Sequence, residues 1–205
     1  MESLILGFLT GGSLILAIGP QNLFVIEQGL KKNFVFIVTS ICAISDVLLI
    51  FLGIFIYQSF GIISGKIIIL LNILLIFFLI NFIKDKLKDL KKNYNIRLTR
   101  SKNRKNVILK TLGFTYLNPH VYSDTVFILG NFSKNFSIIN KLYFALGASS
   151  ASILFFYSLG YLASSFKKFV NKQSIWRYIN TFIIIFMVCL IFYIINDSLI
   201  TYSRI

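Results

Sequence analysis

The chain has 205 residues, of which 57% are hydrophobic and only 14% charged, and its mean hydropathy is +0.80. Soluble domains carry roughly 25% charged residues, so a water-soluble fold is not expected. The formal net charge of +14 could point to nucleic acid, but the basic residues cluster between apolar runs and not along one face of a folded domain, and membrane orientation accounts for them better.

At the start of the chain Glu2 stands where a secretory signal would carry lysines, and no small-residue cleavage pattern precedes Pro20. The first apolar run is therefore expected to stay on as a membrane span. Hydropathy with polar boundaries puts spans near 4–27, 34–58, 62–83, 107–131, 141–164 and 178–200, each long enough for the ~20 helical residues that cross a bilayer. The expected fold is all-α, a polytopic membrane protein of about six transmembrane helices. Cys42 and Cys189 both fall inside apolar runs and read as small core hydrophobes, not as a disulfide or metal pair.

The third run contains no charge from Ile67 to Ile83 and only Asn72 and Asn81 as strongly polar groups, which suits a scaffold. From Lys84 to Lys110 there follow eleven Lys or Arg residues against Asp85 and Asp89. Such a segment is expected on the cytoplasmic side. With six spans the same side receives Lys31, Lys32, Lys167, Lys168, Lys172 and Arg177, the other side keeps Lys66, Lys134, Lys141 and Arg204, and both termini lie outside. If the first run only dips into the membrane, the count is five and the N-terminus is inside. The basic segment could also hold a regulator or anionic headgroups.

The two prolines of the chain each interrupt an apolar run, in Gly19-Pro20-Gln21-Asn22 and in Asn118-Pro119-His120. Proline removes a helical N–H and blocks the preceding turn, so nearby carbonyls lose partners that lipid cannot replace. Some 23 residues after the first break and 31 after the second, Ala43-Ile44-Ser45 with Gly53 is matched by Ser150-Ala151-Ser152 with Gly160. This pairing points to two three-helix repeats, residues 1–83 and 107–205, joined by a basic loop at 84–106. An odd number of spans per half makes the repeats inverted, an architecture of secondary transporters whose substrate sites lie between corresponding broken helices. The alternative is that both prolines merely kink packed helices.

Two acidic residues fall well within the spans, Asp46 and Asp124. An aspartate at a helix centre costs roughly 2.5–3.5 kcal/mol on insertion scales, and such residues usually face an interior cavity. No Lys or Arg lies in spans one or two, in span three beyond Lys66 near its start, or near Asp124. The two carboxylates thus suit either direct pairing with a cationic substrate or the carriage of a proton. His120, the single histidine, can serve a proton relay or bond carbonyls freed by the break. Glu27 sits near a predicted helix end, where a carboxylate reaches the interface, and receives no role. Tyr116, Tyr122, Tyr143 and Tyr157 read as interface aromatics, as does Trp176 beside Arg177.

These residues resemble the bacterial lysine/arginine exporter family of the LysE type over nearly the whole chain. Gly19-Pro20-Gln21-Asn22 with Gln28-Gly29 is similar to the family's first-span motif, and Cys42-Ala43-Ile44-Ser45-Asp46 to its second. Leu117-Asn118-Pro119-His120-Val121-Tyr122 with Asp124-Thr125 and Gly130 looks like the fourth-span signature, and Phe144-Ala145-Leu146-Gly147 with Ser150-Ala151-Ser152 like the fifth. The Asn-Pro-His-Val-Tyr run favours the arginine-exporting branch. The basic middle loop departs from the family in being unusually rich in Lys and Asn.

The resemblance implies a secondary transporter in the bacterial inner membrane that exports L-lysine or L-arginine on an ion gradient, with no cofactor. Its partners would be the amino acid and membrane lipids, with self-association left open and nucleic acid excluded. The substrate-binding or coupling residues would be Gln21, Asn22, Asp46, Asn118, His120 and Asp124, with Gly19, Pro20 and Pro119 forming the breaks. Export of neutral amino acids, export of a metal cation and an intramembrane enzyme are the alternatives. The chain has no GxxxxGK[ST] loop, HExxH motif or Gly-x-Gly-Asp setting for an aspartate dyad, and no Cys/His or acidic cluster with the usual number of metal ligands.

Overall fold

The structure is a computed structural model that describes residues 1–16, 19–56, 65–91, 103–166 and 173–202. All regular elements among these residues are helical. They are α1 (Glu2–Ile15), α2 (Pro20–Lys31), α3 (Val35–Ile56), α4 (Gly65–Lys91), α5 (Arg104–Tyr116), α6 (Pro119–Tyr122), a π-helical turn (Ser123–Ile128), α7 (Leu129–Ser133), α8 (Ile138–Ser165) and α9 (Gln173–Tyr202). Residues 92–102 of the basic segment lie outside the described residues, as do Lys167, Lys168, Lys172, Arg204 and the side chains of Lys66 and Trp176.

Neither proline sits inside a helix. Each occupies the first turn of a new one, Pro20 after the N-cap Gly19 and Pro119 after the N-cap Asn118. That position needs no N–H and accepts proline's fixed φ, so the first and fourth apolar runs are broken, not kinked. α1 and α2 meet at 82°. Among the described residues, α3, α8 and Arg177–Asn196 of α9 are each long and apolar enough to cross a membrane, and the bent pair α1 and α2 makes a fourth candidate. Their outer faces carry exposed Phe36, Ile44, Leu48, Leu154, Leu162 and Phe192, as expected of helices solvated by lipid.

Small residues set the packing. α1 lies along α8, where the Gly7 and Gly11 positions approach the backbone of Phe144 and Ala148, and Gly147 approaches the backbone of Leu4 and Phe8. Lipid tails are as apolar as the helices, so helices associate in membranes through such close contact. The two glycines matched by sequence lie at crossings of the same kind. Gly53 of α3 faces Thr125 and Val126 of the π turn, and Gly160 of α8 faces Val25, Val35 and Thr39. α4 packs on α9 and touches α5 where Gly113 meets the Phe78 ring. One core gathers Leu23, Phe24, Phe82, Phe114, Ile183 and Met187. A second gathers Ile50, Ile54, Leu129, Phe144 and Ala148.

Candidate functional site

The two breaks are closed by side chains that lie just beyond them. α1 ends at Ile15, and the Asn22 side-chain amide donates to the Ile15 carbonyl at 3.2 Å. α5 ends at Tyr116, and the Tyr122 hydroxyl donates to the Tyr116 carbonyl at 2.8 Å. Asn118 accepts from the His120 amide at 3.2 Å through Oδ1 and so caps α6. The Ile15 and Tyr116 carbonyls at the two helix ends therefore find partners within the protein, as an apolar surrounding demands.

Between the breaks lies a cavity of about 340 Å³. Gly19, Pro20, Gln21 and Asn22 line it from the first break, Asn118, His120 and Asp124 from the second, and Asp46 from α3. Of the residues singled out by sequence, Pro119 alone is not part of the lining. Leu14, Ile15, Val121, Thr125, Phe156, Leu190 and Tyr193 complete the wall. Tyr193 comes from the last helix and stacks on the His120 ring at 5.8 Å. No break or charge marks it in the sequence, and only the docking of α9 brings it to the site.

The wall is polar in an incomplete way. Asp46 is 3% exposed, and its Oδ2 accepts from the Ser152 hydroxyl at 3.0 Å while Oδ1 has no partner. Gln21 is 6% exposed, and its Nε2 has no partner. Among the described residues no Lys or Arg forms an ion pair with Asp46 or Asp124, and no group of three or more His, Cys, Asp or Glu could hold a metal ion. Two carboxylates that pair with no Lys or Arg among the described residues, His120 on the Asp124 side and a buried amide donor thus belong to one wall.

A second charged cluster lies one to two turns away. The expectation that Glu27 reaches the interface is not met: it is 2% exposed and pairs with Lys31 of its own helix and Lys86 of α4. Lys86, 3% exposed, also donates to Asn180 of α9 at 3.3 Å. The reason is that α4 runs on as a helix to Lys91 and lays its basic end against α2. Beneath the charges the Phe24 ring lies 6.1 Å from Phe82 and 5.0 Å from Phe114, and Phe82 lies 4.9 Å from Phe114. The ammonium groups of Lys86 and Lys110 stand 5.3 and 5.4 Å from the Phe82 ring, and Lys110 pairs with Asp85 at 2.9 Å. Sequence offered only the i, i+4 spacing of Glu27 and Lys31 as a signal for this cluster.

Residues 12–198 match the LysE type translocator family. The chain belongs to that family. As a LysE-type translocator it is a transporter and not an enzyme, and it resides in the membrane. Among curated proteins it is similar to the arginine exporter protein ArgO of Pectobacterium atrosepticum, at 34% identity over 86% of this chain and 88% of that protein. It is likewise similar to ArgO of Photorhabdus laumondii, at 32% identity over 91% and 92% of the two chains, and to ArgO of Salmonella newport, at 34% over 85% and 84%. No solved structure matches this LysE-type chain.

Proposed function

We propose that this translocator exports basic amino acids, L-arginine or L-lysine, from the cytoplasm through the cavity between the two helix breaks, driven by the ion gradient. The observation that carries the reading is the pair of cavity-lining carboxylates, Asp46 and Asp124, with which no Lys or Arg among the described residues forms an ion pair. A cation desolvated in such a space needs a negative partner. The arginine-exporting names of the relatives agree with it. On this reading Asp46 and Asp124 bind the substrate cation or carry the coupling proton. Asn22 and Asn118 satisfy backbone groups at the breaks and contact the substrate, and His120 serves beside them.

The same reading takes the chain as two inverted three-helix repeats, residues 1–83 and 107–205, with about six spans and a basic cytoplasmic segment at 84–106 that includes the end of α4 and the start of α5. Its support is reciprocal packing: the broken span of each half lies against the unbroken span that follows the break in the other, α1 on α8 and the π turn with α7 on α3, while α4 packs on α9. The test of function is expression in bacterial cells lacking their own exporters. Resistance to canavanine and to the lysine analogue thialysine, without resistance to excess homoserine, is the expected outcome. Rescue from homoserine alone would make the substrate neutral and overturn the reading.

A further inference from the structure

We infer that the cavity has a built-in polarity and takes the α-carboxylate of its substrate at the start of α2, opposite in charge to the seat at Asp46. This rests on the basic amino-acid reading above and goes beyond it by orienting the substrate. α2 has twelve residues and no side-chain cap, because its N-cap is Gly19. Among the described residues the first backbone bond at its start runs from Leu23 N to the Gly19 carbonyl, the Gln21 amide precedes it, and Pro20 has no N–H. A helix start carries about half a positive charge and points N–H groups at an anion. The side chain standing there is Gln21, more than nine-tenths buried, lining the cavity with an Nε2 that has no partner. Asp46 Oδ1, equally buried and equally unpartnered, supplies the complementary acceptor. An unpaired donor and an unpaired acceptor in one cavity of about 340 Å³, near the lower end of the ~300–1,000 Å³ of ligand pockets, suit a single free zwitterion.

The test is competition for radiolabelled arginine on the purified full chain, with agmatine and argininamide, which lack the carboxylate charge, as competitors. Arginine should bind about tenfold or more tightly than either, the size expected of hydrogen bonds to a charged group. Gln21→Glu should lower arginine binding by a similar factor and leave agmatine binding unchanged or stronger, which also shows that the variant is folded. Equal binding of arginine and agmatine by the unaltered chain would overturn the carboxylate seat and leave the export reading standing. Equal weakening of both ligands by Gln21→Glu would reduce Gln21 to a structural group. Failure of the unaltered chain to bind either ligand would overturn both inferences.

A different set of contacts carries a second inference: we propose that Glu27 and Lys86, with the aromatic layer beneath them, form the gate between the cavity and the cytoplasm. Away from the cavity each helix presents the same order of layers. In α2 Gln21 and Asn22 are followed by Phe24 and then Glu27; Asn118, the N-cap of α6, is preceded in α5 by Phe114 and then Lys110; in α9 Tyr193 and Leu190 are preceded by Met187 and Ile183 and then Asn180. α4 closes the set with Phe82 and Lys86. The ion pair joins α2 to α4, whose far end runs into the basic 84–106 segment, so substrate from that side must pass it.

Removing Glu27 alone takes the carboxylate from a buried ammonium, and removing Lys86 alone leaves Glu27 paired with Lys31, so the informative variant replaces both, Glu27→Gln with Lys86→Met. With Cys42→Ala, Cys189→Ala and a reporter Val121→Cys in the cavity wall, a membrane-impermeant maleimide applied to inside-out vesicles should label the latch variant several-fold faster than its parent. Unchanged labelling, a parent already labelled as fast, or a rise confined to the outer face would each overturn the gate.

Discussion

Asp46 holds Ser152 with one carboxylate oxygen and leaves the other unmet at the cavity, and this half-satisfied state separates it from an aspartate that merely secures a helix crossing. Asp46→Asn keeps shape and most hydrogen bonding but removes charge and titratable proton. Asp46→Asn and Asp124→Asn are each expected to abolish canavanine resistance at normal membrane levels. Wild-type resistance in both would show that neither carboxylate is required. The two aspartates were legible in the sequence because charge in an apolar run is costly wherever the chain folds. Gln21 was legible only as the neighbour of a proline. The burial of Glu27 was not legible, because its partner Lys86 sits 59 residues away in a stretch where every third residue or so is basic.

At the scale of the element, proline told where the helices stop but not how the stop is sealed. Asn22 on Ile15 and Tyr122 on Tyr116 are local bonds of seven and six residues' separation, yet the second uses a tyrosine that hydropathy assigns to the interface. The π-helical turn after the second break has no mark in the sequence at all. Glycines are legible as small residues, but only the structure ranks them. A Cβ at Gly147 would overlap the Leu4 carbonyl, whereas one at Gly12 would meet the Ala151 methyl at an ordinary 3.8 Å. Gly147→Ala should therefore destabilise the protein by roughly 1–3 kcal/mol, the usual cost of overpacking, and lower its melting temperature in detergent. Gly12→Ala should melt with the parent. Equal melting of the two variants would remove the α1 and α8 contact as a source of stability.

For the whole molecule, the boundaries of the apolar runs anticipated the helices to within about five residues, since hydropathy reports the lipid environment, except at the end of α4, which runs past the expected boundary at 83 to Lys91. The pairing of those helices is another matter, because nothing in one run names its partner. The packing of α1 on α8 is the clearest case, and it bears on how the protein is made. Translation supplies α1 first and its partner some 130 residues later, after the basic segment has been emitted. Until α8 is inserted, Gly7 and Gly11 form a bare notch facing lipid, and α4 waits likewise for α9. The pairings of α1 with α8 and of α4 with α9 therefore close only when the last two helices arrive, so a chain halted after α7 keeps the packing of α3 on α2, α5, the π turn and α7 but lacks both of these contacts.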